Sequence, residues 1–350
     1  MKVLVIQQKM IGDVLASTVI CEAIKTVYPD WEVHYMIQPN TFAVVENNPF
    51  IDQIIFFEKT KDKGLWDLIQ FGKNLQKNNY DAVIDAYGKW ESIIPAYFSG
   101  ANIRIGFKKW YTKLFYTKTI LPQQNIEGSA IAHRLQLAAT LLPQVPAILF
   151  PKIYLNDAEI KIAKQSISGN LDITRPIFMI SVLGSGFNKS LPVQQMAKTL
   201  DDIATHSNAQ LLFNYMPNQE SEAKVIYESC LPETQKNILF DFQIKGLRSF
   251  LAILSQCDAM IGNEGGAVNM AKALNIPTFT IFSPWINKSS WNMLTGDTNH
   301  IAVHLNDYYP EIYKEKHSKH FKKQALELYK KLTPDLYRAS LIDFVKRITS

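Results

Sequence analysis

Short apolar runs alternate with amphipathic stretches along most of the chain. In the first half, runs without the polar alternation of a half-exposed strand predict strands buried on both faces, at 2–7, 32–37, 53–57 and 81–86. Apolar residues at helical spacing predict helices at 12–28, 65–75 and 130–142. The second half repeats the plan, with strands predicted at 177–184, 210–215, 237–240, 258–262 and 277–282. Its predicted helices lie at 193–205, 218–230, 247–256 and 267–274.

This alternation predicts an α/β protein with parallel sheets covered by helices. The second half is a second βα array and not a continuation of the first. The link between them is predicted within 151–176, where Pro151, Gly169, Asn170 and Pro176 cluster. We therefore predict two Rossmann-like, doubly wound domains facing a cleft. The N-terminal domain is expected over 1–160 and the C-terminal domain over 171–330.

Composition narrows the class of protein. The 350 residues are 47% hydrophobic and 20% charged, which excludes a disordered or fibrous chain. No apolar run approaches the ~20 residues that span a bilayer, and the first residues lack a secretory signal. The three cysteines, Cys21, Cys230 and Cys257, have no CxxC spacing. They indicate a protein of the reducing cytoplasm, and they support neither a disulfide framework nor a zinc site.

Positive charge is concentrated in two zones of a chain whose net charge is +5. Between Lys59 and Lys118 there are 11 Lys and Arg against 5 Asp and Glu, and between Ile312 and Arg338 there are 8 against 3. Two basic zones on a body that is otherwise neutral to acidic indicate an anionic partner. Solvated helix faces are the alternative interpretation.

Ligands of parallel α/β sheets bind beyond the carboxyl ends of the strands, and the first loop of this kind ends in Gly12 and Asp13. The loop is not GxGxxG, which argues against a nicotinamide dehydrogenase. Asp13 is either a helix N-cap or a carboxylate that accepts a proton. A helix N-terminus stabilises the anion, so Asp13 would be a weak base, which suffices if the proton leaves late in the reaction.

Two loops of the second half have the character of anion sites. In 183–192, Gly184 and Gly186 flank Ser185, and Lys189 precedes a helix, which suits a phosphate; a tight turn is the alternative. In 261–282, Glu264, Gly265 and Gly266 lead into a helix whose backbone N–H groups would face an anion, with Asn269 in its first turn. A plain β–α turn is the alternative there. The histidines form no cluster with metal-ligand spacing.

Taken together, these stretches resemble glycosyltransferase family 9, the lipopolysaccharide heptosyltransferases. The similar stretches are the opening MKVLVIQQKMIGDVLASTVICEAIKTVYP, DAVIDAYGKWES, RIGF, LGSGFNKSLPVQQMAKTL and GNEGGAVNMAKALNIPTFTIF. The resemblance implies a GT-B fold with the nucleotide sugar held mainly by the C-terminal domain, and a helix at 334–348 that packs back across the domains. It also implies metal-independent, inverting transfer of a sugar, expected to be heptose from an ADP-linked donor, to a lipopolysaccharide-core-type acceptor. No cofactor is expected.

The resemblance also implies roles for individual residues. Asp13, beside Gly12, would be the general base, and the donor would be bound by Gly184, Ser185, Lys189, Asn218, Glu264, Gly265, Gly266 and Asn269. Three of these depart from the family signature, because Glu264 replaces Asp, Gly265 replaces Ser or Thr, and Asn269 replaces His. Altered hydrogen-bond partners in such a site change which sugar is accepted.

The segment FKKWYTKLFYTK (107–118) mixes lysines, including Lys108 and Lys109, with aromatic residues. That mixture suits an interface with anionic lipid headgroups, and Lys59, Lys61 and Lys63 would add to it. A basic loop with its aromatic rings packed on the domain is the alternative. We expect a cytoplasmic enzyme, peripheral on the inner face of the cytoplasmic membrane if this surface binds lipid. The acceptor would be a lipid-linked or phosphorylated saccharide, and no nucleic-acid module is present.

Two other functions fit the same loops. A sugar-nucleotide epimerase or hydrolase with a GT-B-like fold would keep the diphosphate site and use no acceptor. A catalytically silent nucleotide-binding protein would account for the three departures from the signature.

Overall fold

The computed structural model describes residues 1–58, 64–123, 128–146, 149–242, 244–292, 297–314 and 317–350. The chain forms two compact units. The N-terminal unit consists of Met1–Tyr154 and a short stretch that starts at Ser289. The C-terminal unit consists of Leu155–Lys288 and the chain that follows that stretch, up to Ser350.

The N-terminal unit is built on a sheet of six strands that pair in parallel. The strands are β1 (Lys2–Ile6), β2 (Glu32–Ile37), β3 (Gln53–Phe56), β4 (Ala82–Asp85), β5 (Ile103–Phe107) and β6 (Lys118–Ile120). Its helices are α1 (Ile11–Val27), α2 (Leu65–Leu75), α3 (Trp90–Phe98) and α4 (Ser129–Ala138). The strand order β3-β2-β1-β4-β5-β6 reverses direction between β1 and β4. A ligand crevice is therefore expected at the carboxyl ends of these two strands.

The C-terminal unit has a parallel sheet of five strands in the order β11-β10-β9-β7-β8. The strands are β7 (Ile177–Ser181), β8 (Gln210–Asn214), β9 (Ala259–Asn263), β10 (Thr278–Ile281) and β11 (His300–Val303). Its helices are α5 (Asp157–Ser168), α6 (Val193–His206), α7 (Glu220–Ser229), α8 (Pro232–Gln235), α9 (Leu247–Leu254), α10 (Gly266–Ala273), α12 (Ala325–Lys331) and α13 (Pro334–Thr349). The one-turn helix α11 (Lys288–Trp291) lies where the chain passes between units. The order reverses between β7 and β9.

The buried strands account for the apolar runs. Every residue of β1 from Val3 to Ile6 is fully buried, and β7 is buried along its whole length. Helices cover both faces of a parallel sheet, so its strands need no polar alternation. The alternation of predicted strands and helices therefore predicts the two parallel sheets correctly.

The predicted strand at 237–240 is wrong. Ile238 makes a single parallel bridge to Leu211 of β8, and the chain then turns away, with Phe242 N donating to the carbonyl of Leu239. One bridge at an open edge does not extend into a ladder. Conversely, the apolar pattern predicts none of β5, β6 and β11, which are only three to five residues long and each include a polar residue, Arg104, Lys118 or His300.

Two helices frame the C-terminal unit. Helix α5 occupies the predicted link at 151–176 and packs on α9, where Arg248 Nη2 lies 2.5 Å from a carboxylate oxygen of Glu159. Helix α13 confirms the helix expected at 334–348 and packs on α6, with the hydroxyls of Tyr337 and Thr199 2.9 Å apart. That this helix also packs back across the domains stays a prediction. No described helix combines the length and hydropathy needed to cross a membrane.

Candidate active site

Asp13 lies beside the N-terminal crevice, in the first turn of α1. The helix begins at Ile11 with Met10 as its N-cap residue, so the interpretation of Asp13 as the N-cap is wrong. Its side chain is 34% exposed. Gly12 precedes it and is half-buried. The carboxylate is thus open to solvent on one side and held from the other.

The group that holds Asp13 is Arg134 of α4. Its Nη2 donates to Asp13 Oδ1 at 2.8 Å, and its Nε donates to the Ser17 hydroxyl at 2.7 Å. A further hydrogen bond goes to the carbonyl of Ala130. With a side chain only 11% exposed, the guanidinium is tied to acceptors of three residues, and a planar fork of donors fixes the carboxylate in one orientation.

Sequence reasoning missed Arg134, although a signal was present. The residue stands among the buried positions of α4, with Ile131, Leu137 and Ala138. An arginine on the apolar face of an amphipathic helix needs partners, because a buried charge is costly unless it is paired. The helical spacing therefore indicates that Arg134 needs a partner. It does not identify that partner, Asp13, which lies 121 positions earlier in the chain.

The opposite wall of this crevice is the loop after β4. The carboxylate of Asp85 is fully buried and accepts hydrogen bonds from the Tyr116 hydroxyl at 2.6 Å and from Gly88 N at 2.8 Å. Burial raises the pKa of Asp85, while the Tyr116 hydrogen bond lowers it in part. Lys109 Nζ donates to the Gly88 carbonyl at 2.5 Å, and Lys108 is exposed. The Lys109 ammonium is thus held by this loop, whereas the exposed side chain of Lys108 is accessible to a ligand.

In the C-terminal unit, Asn263 joins the two predicted anion loops. Its amide nitrogen donates to the carbonyls of Ser181 and Val182 at 3.0 and 2.9 Å, and its Oδ1 accepts from Leu191 N at 2.7 Å. Gly184 cannot be replaced freely, because a Cβ there would collide with the Lys189 carbonyl. The loop after β7 is therefore folded tightly against the end of β9.

This packing brings Lys189 and Glu264 together. Lys189 Nζ lies 3.4 Å from Glu264 Oε1, and the glutamate is only 8% exposed. Oε1 has no hydrogen-bond partner within the described chain. A buried polar atom without a hydrogen bond calls for an explanation, and a ligand hydroxyl between these side chains is one.

Gly265 and Gly266 leave room at the N-terminus of α10. A Cβ at either position would meet no described atom within 4 Å, so the backbone N–H groups there are accessible to an anion. Asn269 is half-buried in the next turn. The side-chain space that a family Ser or Thr would occupy is thus present at Gly265.

Two of the predicted donor-site residues, Ser185 and Asn218, are exposed. Both lie in turns at the carboxyl edge of the sheet. The residue after Asn218 makes the contact to the phosphate loop, because Gln219 Nε2 donates to the Gly184 carbonyl at 2.9 Å. Trp285, also missed, donates from its indole N–H to the Asn188 carbonyl at 2.8 Å. Nothing in the sequence spacing of Gln219 or Trp285 distinguishes them from other amide and indole side chains in turns.

His34 and the three cysteines are titratable groups buried in the structure. His34 is buried between the Tyr80 hydroxyl and Glu32, at 2.8 and 2.7 Å. All three cysteines are buried, and burial raises the pKa of each thiol. Among the described residues, no group of three or more His, Cys, Asp or Glu side chains is arranged to hold a metal ion.

Comparison with known proteins decides the family. The sequence model described as "Glycosyltransferase family 9 (heptosyltransferase)" matches residues 68–322, well over half of the chain. The chain belongs to glycosyltransferase family 9. It is 26% identical over 292 residues to a lipopolysaccharide heptosyltransferase 1 of Campylobacter coli, covering 81% of this chain and 84% of the relative.

Solved structures of family 9 share the fold. The family member from Veillonella parvula superposes with a TM-score of 0.74 at 18% identity, over 95% of this chain and 96% of the other. E. coli heptosyltransferase WaaC with ADP-2-deoxy-2-fluoro heptose gives 0.64 at 17% identity, over 87% and 93%. The predictions of a GT-B fold with two parallel-sheet units and of a glycosyltransferase are therefore confirmed.

Proposed function

We propose that this family 9 enzyme transfers heptose from an ADP-linked donor to a lipopolysaccharide-core-type saccharide, with inversion at the anomeric carbon. Support for the donor comes from family membership and from the E. coli relative whose structure is described with ADP-2-deoxy-2-fluoro heptose. Support for the acceptor comes from the relatives described as lipopolysaccharide heptosyltransferases. The glycosidic bond forms as the bond from sugar to diphosphate breaks.

One observation carries the donor assignment. At the carboxyl ends of β7 and β9, a buried carboxylate oxygen without a hydrogen bond, Glu264 Oε1, lies 3.4 Å from the ammonium of Lys189. The open helix start at Gly265 and Gly266 follows directly. We assign the diphosphate to the ammonium and the N–H groups, and a sugar hydroxyl to Glu264.

The leaving diphosphate gains negative charge as its bond to the sugar breaks. Lys189 and the two amides supply fixed positive charge at that point, and we propose that they do so without a metal ion. Donors of this kind change kcat by about 10²–10³ each when removed. Lys189→Ala should therefore lose most transfer, and chelator in the assay should leave the wild-type rate unchanged.

The acceptor hydroxyl must lose a proton as its oxygen bonds to the anomeric carbon, and we assign that proton to Asp13. Its carboxylate is held by Arg134 at 2.8 Å, and it can take the proton late in the reaction, when bond formation has already made the hydroxyl acidic. The electron pair of the broken bond leaves with the diphosphate as ADP. Asp13→Asn keeps the side-chain shape and removes the proton acceptor.

The direct test is product analysis with ADP-heptose and a truncated lipopolysaccharide acceptor. We expect ADP and the glycosylated acceptor in equal amounts, and neither from Asp13→Asn. ADP-heptose supplied alone separates the alternatives, since ADP release without acceptor indicates a hydrolase and an altered sugar indicates an epimerase. Full turnover by Asp13→Asn contradicts the base assignment.

We further propose that the N-terminal unit docks on an anionic membrane surface. Trp110 is 93% and Leu114 84% exposed, and exposed Lys108 and Lys113 lie beside them in the chain. Tyr111 is instead half-buried and stacks on Trp90 at 5.2 Å, so the segment divides between packed and presented rings. Lys59, Lys61 and Lys63 lie outside the described residues.

Flotation with vesicles tests this surface. Wild-type protein should float with vesicles containing phosphatidylglycerol and not with phosphatidylcholine alone. Trp110→Ser with Leu114→Ser should stay at the bottom of the gradient, whereas Ile162→Ser, at a 66% exposed position of the C-terminal unit, should float as wild type does. Equal flotation of both variants contradicts the proposal.

A further inference from the structure

The second basic zone of the sequence reaches the donor site of the C-terminal unit. It includes a 3-10 segment, Ser318–Gln324, that leads into α12. Phe321 anchors the segment in the hydrophobic core, with its ring 5.3 Å from that of Tyr313. The next residue, Lys322, is exposed, and its Nζ lies 5.1 Å from the ring centroid of Trp285.

Trp285 is fixed against the predicted phosphate loop. Its indole N–H and the Ser283 hydroxyl both donate to the Asn188 carbonyl, at 2.8 and 2.7 Å. Lys189 follows in the chain, and its Nζ lies 5.5 Å from the centroid of the same ring. Two ammonium groups from distant parts of the sequence therefore share one aromatic ring.

The two ammonium groups are not equally neutralised. Lys189 has the carboxylate of Glu264 at 3.4 Å. Lys322 pairs with no carboxylate of the described residues. Each ammonium group lies within cation–π distance of the Trp285 ring, and the negative face of an indole ring stabilises positive charge placed beside it. The arrangement leaves a net positive charge beside the loop, which a polyvalent anion would neutralise.

We infer that Lys322 is a second cation for the donor diphosphate and that Trp285 positions it together with Lys189. This inference rests on the proposed function, since it adds a residue to the proposed donor site. The side chain sits outside the stretches of sequence in which the resemblance to the family was found. It would bind phosphate oxygens of the donor and, after transfer, of the nucleoside diphosphate product.

Calorimetric titration with ADP and with adenosine tests the assignment. Lys322→Ala should weaken ADP binding by about tenfold, the size of one charge-assisted hydrogen bond, and leave adenosine binding unchanged. Lys323→Ala, the adjacent exposed lysine, is the matched control and should change neither. Trp285→Ala should weaken ADP at least as much as Lys322→Ala, because both ammonium groups lose their support, and Trp285→Phe should restore most of the loss.

The outcomes separate the two levels of the proposal. If Lys189→Ala loses ADP affinity while Lys322→Ala binds ADP as wild type does, the role of Lys322 is wrong and the donor site stands. If Lys322→Ala weakens adenosine and ADP equally, its effect is not on phosphate and the inference is again wrong. If wild-type protein binds none of ADP, GDP or UDP, the proposed function itself fails.

Discussion

Replacing Arg134 by alanine tests how the proposed base is held. The guanidinium gives hydrogen bonds to Asp13, Ser17 and the carbonyl of Ala130. In the variant, water can reach the partly exposed carboxylate, and the buried hydroxyl of Ser17 loses the donor from Arg134 but keeps its own hydrogen bond to the Asp13 carbonyl at 2.9 Å. Asp13 would then be free to rotate between several side-chain orientations.

The magnitudes follow from burial. A hydrogen bond to a charged group contributes about 1.5–3 kcal/mol to the free energy of unfolding. Because Asp13 is partly exposed, solvent screening reduces the contribution of its ion pair with Arg134. We expect Arg134→Ala to lower the free energy of unfolding by about 3 kcal/mol. Misplacing a reacting group by an ångström costs about 10²-fold in rate, so kcat should fall by that factor while KM for the donor is unchanged.

The assay compares ADP release at saturating donor with urea unfolding of the same preparation. Arg104→Ala is the matched control, because Arg104 also donates to backbone carbonyls, those of Phe115 and Ala101 at 2.8 and 2.5 Å. It should lose comparable stability and keep its kcat. Arg134→Ala that is folded and turns over at the wild-type rate would refute the view that this arginine positions the base.

Three further predictions concern the C-terminal unit. Gly265→Ser should change the free energy of unfolding by less than about 0.5 kcal/mol, since the added atoms enter open space; a larger loss in urea unfolding contradicts this. Gly184→Ala should lose about 1–3 kcal/mol and bind ADP more weakly in calorimetry, because the loop carrying Lys189 must shift; unchanged ADP affinity contradicts this. Burial lowers the pKa of Lys272 to about 8 from 10.5, so the unfolded chain holds more protons between those pH values and wild-type stability should rise with pH across that window. Lys272→Met should remove this rise and add about 3 kcal/mol at pH 7, and urea unfolding that shows identical pH slopes in both proteins contradicts the assignment.

The fold was largely readable because burial on both faces leaves a plain mark on the sequence. Strands such as β1 and β7 are apolar at nearly every position, and parallel strands need helices between them. Strand β5 was not readable, since Arg104 interrupts it and satisfies its charge through carbonyls elsewhere. The run at 237–240 has a strand's composition but only one bridge to a neighbour, and pairing is not a property of composition.

The site was predictable as far as it follows strand ends. The loops with Lys189 and Glu264 come after β7 and β9, and the strand order makes these two strands neighbours. The residues that were missed act through long-range contacts. Arg134 contacts Asp13, and Lys322 contacts Trp285. Neither contact can be predicted from the local sequence spacing around either partner.

The most direct test of the central claim is a crystal structure of the protein with ADP-2-deoxy-2-fluoro heptose. The account predicts diphosphate oxygens within hydrogen-bond distance of Lys189 Nζ and of the backbone N–H groups at Gly265 and Gly266, with a sugar hydroxyl on Glu264. A diphosphate bound away from all of these residues would contradict it.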